Sequence, residues 1–354
     1  MLEENNNFNS QQNFEQQPQP QPHFENTNIY GAPPEIYREK KDIRRITLAV
    51  GIPAVCLSLI TYLWSVVYLF ITVKTMKMSY TDAIELANNS AVQQVLQVIL
   101  SILMFLVPFP IAARCAGYRI DSLVSTKKPT TGTALPFFLF GIGFCSFANI
   151  AANYCSSIFK NIGIDYEVDY GDNPSGVFGF LLSFIATAIV PALVEEFACR
   201  GIVLGMLKKY GETFAIIASS IVFGVMHGNF DQMPFAIMVG LILGYIYVKT
   251  GSIWISVAVH CVNNAISVIF NYLANTMSVN SQNLLYGLYL IISMLAAIFG
   301  VYILSKKHSA DIYSLQKSDT VSTSKQKYTW FFTSWIIIIF LALNFIESLT
   351  FFVI

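Results

Sequence analysis

Charge is what this sequence has least of. Only 12% of its 354 residues are Asp, Glu, Lys or Arg, against roughly 25% in an ordinary soluble domain, while 55% are hydrophobic. That leaves too little polar surface to coat a water-soluble globule. Basic and acidic residues balance at 21 each, so no global field favours a nucleic-acid partner. Metal knuckles are missing: no two of the six cysteines have CxxC spacing, and all six read as free thiols acting as small apolar groups. There is no HExxH zinc motif, no GxSG serine elbow, and no pair of Asp residues in two apolar helices. An apolar run close to the N-terminus, as a signal peptide needs, is also lacking. The first such run begins at Ile46, and this helix is expected to stay uncleaved.

What is present is a series of long apolar runs. A helix needs about 20 such residues to cross a bilayer. Candidates stand at 46–73, 92–113, 134–158, 177–206, 213–229, 234–248, 253–274, 284–305 and 330–352. The pattern predicts an all-α, polytopic transmembrane bundle of about nine helices, seven to nine counting only full crossings, because the fifth and sixth runs are short. Residues 1–45, rich in Asn, Gln and Pro, read as a disordered cytoplasmic tail. Segments 46–158, 177–272 and 284–354 then form an N-terminal helical region, a central core and a C-terminal helical region. Placing the N-terminus in the cytoplasm puts 17 basic residues inside and only Lys74, Lys77 and Lys160 outside, which decides orientation by the positive-inside rule. An integral, multi-pass cell-membrane protein surrounded by lipid is expected, with the acidic 165–172 loop outside.

Some polar residues fall where lipid should be. A charge at the bilayer centre costs at least about 2.5–3.5 kcal/mol, so such residues are functional candidates. The fourth run contains Glu195, Glu196 and Arg200. Glu196 and Arg200 are four apart and share a helix face. Glu195 is rotated about 100° away and has no local partner, which suits a group that moves protons. Of the four histidines, His23 lies in the tail and His308 beyond a helix end. His227 and His260 lie inside the fifth and seventh runs, and Asn264 follows one turn after His260. Counted from the inner ends of their helices, Glu195, His227 and His260 reach similar depths. Small residues nearby, including Gly224, Gly240 and Gly244, allow close backbone approach.

Two chemistries fit this set. In the first, Glu195 deprotonates a water shared with His227, while His260 and Asn264 donate to a developing oxyanion, with no metal or other cofactor. In the second, Glu195, His227 and His260 hold a zinc ion with an open position. The Asn favours the metal-free version.

The chain resembles the CPBP family of CAAX-protease and bacteriocin-processing (Abi) membrane enzymes. That family's pattern of EExxxR, FxxxH and HxxxN or HxxxD on successive helices stands here as Glu195-Glu196-…-Arg200, Phe223-…-His227 and His260-…-Asn264, spanning about residues 177–272. The resemblance implies a glutamate-type intramembrane endopeptidase with a peptide or membrane-protein substrate. Glu195 and His227 would activate water, His260 and Asn264 would form the oxyanion hole, and Glu196 and Arg200 would support the site. Eukaryotic relatives trim prenylated CAAX proteins; bacterial ones are linked to bacteriocin maturation or immunity. The competing readings are a non-proteolytic immunity or scaffold protein, and a transporter using the same groups as a proton relay.

Overall fold

The computed structural model describes residues 33–87, 89–162, 176–274, 276–307 and 314–352. The tail before residue 33, the acidic 165–172 loop, His23 and His308 lie outside the described residues. The rest is helical: α1 Pro34–Phe70, α2 Tyr80–Ala87, α3 Ser90–Leu106, α4 Pro108–Cys115, α5 Ile120–Leu123 and α6 Thr131–Asn161. The fourth span is α7 Gly176–Ser183, a π-helical stretch Phe184–Ile189, α8 Val190–Glu196, a second π-helical stretch Phe197–Leu204, and α9 Gly205–Leu207. Then come α10 Glu212–Val225, α11 Gln232–Thr250, α12 Ile253–Ala274, α13 Val279–Lys307, α14 Ser324–Phe332 and α15 Trp335–Leu349. Seven of these helical stretches are long and apolar enough to cross a membrane, or eight if α14 and α15 count as one broken span. The protein is an all-α, multi-pass membrane bundle, and its six cysteines are free.

Three expectations need correction. First, α1 begins at Pro34, so residues 34–45 belong to a helix and not to the tail. Proline suits a first helical position. The polar side chains that hide this helix from a hydropathy reading have partners elsewhere. Glu39 accepts the backbone N–H groups of Val321 and Ser322 at 2.9 and 3.0 Å, and Asp42 accepts from the Tyr210 hydroxyl at 2.6 Å. Second, α10 stops at Val225, short of the expected end at 229. Its 14 residues reach about 21 Å, less than a bilayer core of about 30 Å. Gly228 takes a left-handed φ of 67°, and Asn229 caps the next helix by accepting from the Gln232 N–H at 2.8 Å. Third, the ninth expected helix is two, bent by 64° between Phe332 and Trp335.

Close backbone approach joins α10 to α11. A Cβ on Gly224 would lie 2.2 Å from Ile237, and one on Gly240 would lie 2.9 Å from the Ser220 side chain. One core cluster links α1, α4, α10, α14 and α15 with the fourth span. A second joins α6, α11 and α12. The candidate residues sit where α8, α10, α11 and α12 meet.

Candidate active site

Glu195 and Glu196 end α8, and Arg200 lies in the π-helical stretch that follows. Glu196 and Arg200 pair as their spacing predicts. Arg200 Nη1 lies 2.8 Å from Glu196 Oε1, with the two side chains 1% and 0% exposed. Arg200 reaches further. Nη2 donates to the Gly240 carbonyl on α11 at 3.3 Å, and the guanidinium lies 4.3 Å from the centre of the Phe223 ring on α10. One cation therefore ties three elements together, with every contact in a region of low dielectric.

Glu196 has a second partner that sequence spacing did not reveal. His260 Nδ1 lies 3.0 Å from Glu196 Oε1, in a buried contact 64 residues apart in sequence. A carboxylate only accepts, so Nδ1 carries the proton. The other nitrogen, Nε2, faces Glu195 Oε2 at 3.9 Å, too long for a direct hydrogen bond. His227 is fixed in the same tautomer. It follows the end of α10, in the turn before Gly228, and its Nδ1 donates to the Phe223 carbonyl at 2.9 Å. In the neutral form of either imidazole, Nε2 is then an acceptor. The Phe223 ring stands edge-on to both, with centres 5.2 Å from His227 and 5.8 Å from His260. Phe223 was legible as a motif letter. Its position between Arg200 and both histidines was not.

Asn264 is held by a defect in the fourth span. Pro191 has no N–H, so the carbonyl of Thr187, four residues earlier, loses its α-helical donor. Asn264 Nδ2 supplies one instead, at 3.0 Å, and its Oδ1 accepts from Asn263 Nδ2 at 3.2 Å. One hydrogen of the Asn264 amide group remains uncommitted. π-Helical turns recur at functional sites, and here two of them flank the short α-helix that carries both glutamates.

The polar set is therefore an acceptor array, formed by the Glu195 carboxylate and two imidazole Nε2 atoms, beside one amide donor. Ligating histidines usually present such tautomers, with the other nitrogen donating to a carboxylate or carbonyl. The spacing does not match a metal site, however. Among the described residues no three His, Cys, Asp or Glu side chains converge closely enough to hold an ion. Glu195 and His260 approach each other, and the Phe223 ring lies against both His260 and His227.

Comparison with known proteins bears on the same region. Residues 177–266 match the Rce1-like family, described as "Type II CAAX prenyl endopeptidase Rce1-like". The chain is also similar to the Bacillus subtilis (strain 168) protein named "Putative membrane peptidase YdiL". The two are 30% identical over 116 residues, which is 31% of this chain and 47% of YdiL. The chain thus spans about half the length of this curated relative. No solved structure matches the chain. Glu195, Glu196, Arg200, Phe223, His227, His260 and Asn264 all fall inside the window that matches the Rce1-like family.

Proposed function

We propose that the protein is an intramembrane endopeptidase that hydrolyses peptide bonds of membrane-associated substrates with a water activated by Glu195. The observation that carries this reading is the Glu195–His260 pair, 3.9 Å apart, with His260 held from behind by a fully buried Glu196. Both facing atoms are acceptors, so a water beside them finds two bases and no competing cation. In the first step the water gives a proton to Glu195 or to His260 Nε2, and its oxygen attacks the peptide carbonyl. The spare Asn264 N–H donates to the resulting oxyanion. His260 donates there only after Nε2 has taken a proton, and that proton then passes to the leaving amine as the C–N bond breaks. His227 Nε2 accepts from the attacking water or from the substrate amide. Glu196 and Phe223 touch the histidines, and Arg200 touches both Glu196 and Phe223, so all three act as positioning residues.

The experiment is cleavage of membrane-spanning peptides by the purified protein in detergent, with products read by mass spectrometry. Internal cuts are expected; intact peptides across a broad substrate panel would return the protein to the immunity or scaffold reading. The histidine tautomers keep a zinc-dependent version in play, with Glu195, His227 and His260 as ligands. Dialysis against a strong chelator separates the two. Activity survives in the metal-free mechanism. In the zinc version it is lost, and added zinc restores it.

A further inference from the structure

A second polar chamber lies beside the candidate site, on a different face of α12. Asn263, Ser267 and Asn271 recur along that face at helical spacing and line a cavity of about 380 Å³ with Asn149 of α6 and with Asn283 and Tyr286 of α13. The chamber is graded. Asn271, Asn283 and Ser267 are exposed at its mouth, and Asn263 is 5% exposed at its inner end. The Asn263 Oδ1 atom is buried and has no hydrogen-bond partner among the described residues. Its Nδ2 donates to Asn264 Oδ1 at 3.2 Å, so the inner end of the chamber is one hydrogen bond from the candidate oxyanion donor.

The lining identifies the ligand chemistry. Among the described residues no Asp, Glu, Lys, Arg or His contributes to the wall, which disfavours an ionic ligand. Five side-chain amides, those of Asn149, Asn263, Asn271, Gln282 and Asn283, supply both donors and acceptors, the same pattern as a peptide group, and the rings of Phe270, Tyr286 and Tyr289 pack together beside them. The buried Asn263 acceptor lacks only an N–H. The volume lies within the range of about 300–1,000 Å³ found for ligand sites. We propose that this cavity is a subsite for a neutral, extended peptide segment of the substrate, entered between α12 and α13 and ending at Asn263. The inference rests on the peptidase reading above. It adds that the segment flanking the cleaved bond is uncharged, and that Asn263 reports its presence to Asn264.

Thiol labelling tests the subsite without requiring turnover. Asn271→Cys and Ser267→Cys are made singly in the full chain, purified in detergent and treated with a hydrophilic methanethiosulfonate. The unmodified chain provides the baseline for the native cysteines. The probe is N-acetyl-trialanine amide, with N-acetyl-trilysine amide as its charged counterpart. Both introduced thiols should react faster than the baseline. The neutral peptide should slow them by 1 + [L]/Kd, about threefold at twice its Kd. The charged peptide should not protect, and Asn263→Leu should remove the protection. Three results would overturn the proposal: thiols that do not react, thiols that the neutral peptide leaves unprotected (a chamber that holds water alone), or protection that survives Asn263→Leu. Loss of cleavage in Glu195→Gln is a separate readout, so subsite and peptidase reading can fail independently.

Discussion

The two adjacent glutamates should respond differently to the same substitution. Glu196 is fully buried and its Oε1 lies 2.8 Å from Arg200 Nη1 and 3.0 Å from His260 Nδ1. Glu196→Gln removes the charge that balances Arg200 and leaves a guanidinium confined between Phe223 and the Gly240 carbonyl. Breaking a buried pair from one side costs about 3–5 kcal/mol. At 1.4 kcal/mol per decade, that lowers the folding constant by roughly 10²–10³·⁵. Glu195 is 18% exposed, and its nearest charged partner is His260 at 3.9 Å. Glu195→Gln breaks no hydrogen bond among the described residues and should change stability by about 1 kcal/mol or less. Unfolding of the detergent-purified variants, followed by tryptophan fluorescence, measures the difference, with accumulation in membranes as a second reading. Glu196→Gln should unfold much earlier than the parent. Adding Arg200→Leu should restore part of the loss, because the unbalanced charge is gone. Equal midpoints for Glu195→Gln and Glu196→Gln, or no recovery in the double variant, would refute the reasoning.

Further outcomes follow from other contacts. Pro191→Ala returns an N–H to the Thr187 carbonyl, so Asn264→Ala should cost about 1 kcal/mol in the parent and measurably less beside Pro191→Ala, as a double-mutant cycle in unfolding would show. Gly224→Ala places a Cβ 2.2 Å from Ile237 and should destabilise the α10–α11 contact by about 1–3 kcal/mol, read from the unfolding midpoint. Ser348→Ala removes the hydroxyl that α15 donates to the Gly228 carbonyl at 3.1 Å, beside the His227 turn. Turnover should fall more than stability, and an unchanged kcat would separate α15 from the site. Reporter fusions after Gly132 and after Ser309 should both report cytoplasm if the basic residues set orientation, and an external signal from either would reverse or break that topology.

Local spacing made part of this site legible before any coordinates. Glu196 and Arg200 are one helical turn apart, so their pairing needed only the helix, and the apolar runs around Glu195 and His260 marked both as polar groups inside membrane-spanning helices. The contacts that link separate helices were not legible. Nothing in the spacing of Glu196 and His260 brings them together, and the need for an Asn at 264 appears only once Pro191 is seen to strip a donor from Thr187. Phe223 was legible as a motif letter, but its place between Arg200 and both histidines was not, because an aromatic in an apolar run looks like any other core residue. Helix ends were misjudged where polarity and helicity part company. The charged first turns of α1 resembled tail because their partners lie elsewhere in the sequence, some almost 300 positions away. The apolar stretch past Val225 resembled helix because its break depends on one left-handed glycine and an Asn cap.

The central claim is that Glu195 activates the hydrolytic water, and cleavage of a membrane-spanning peptide by parent and Glu195→Gln protein, matched for folded fraction, tests it most directly. Removing a general base typically costs about 10²–10⁴ in rate. The account predicts a loss of that size in kcat, with peptide binding and the unfolding midpoint nearly unchanged. A Glu195→Gln protein that still cleaves at the parental rate would contradict it.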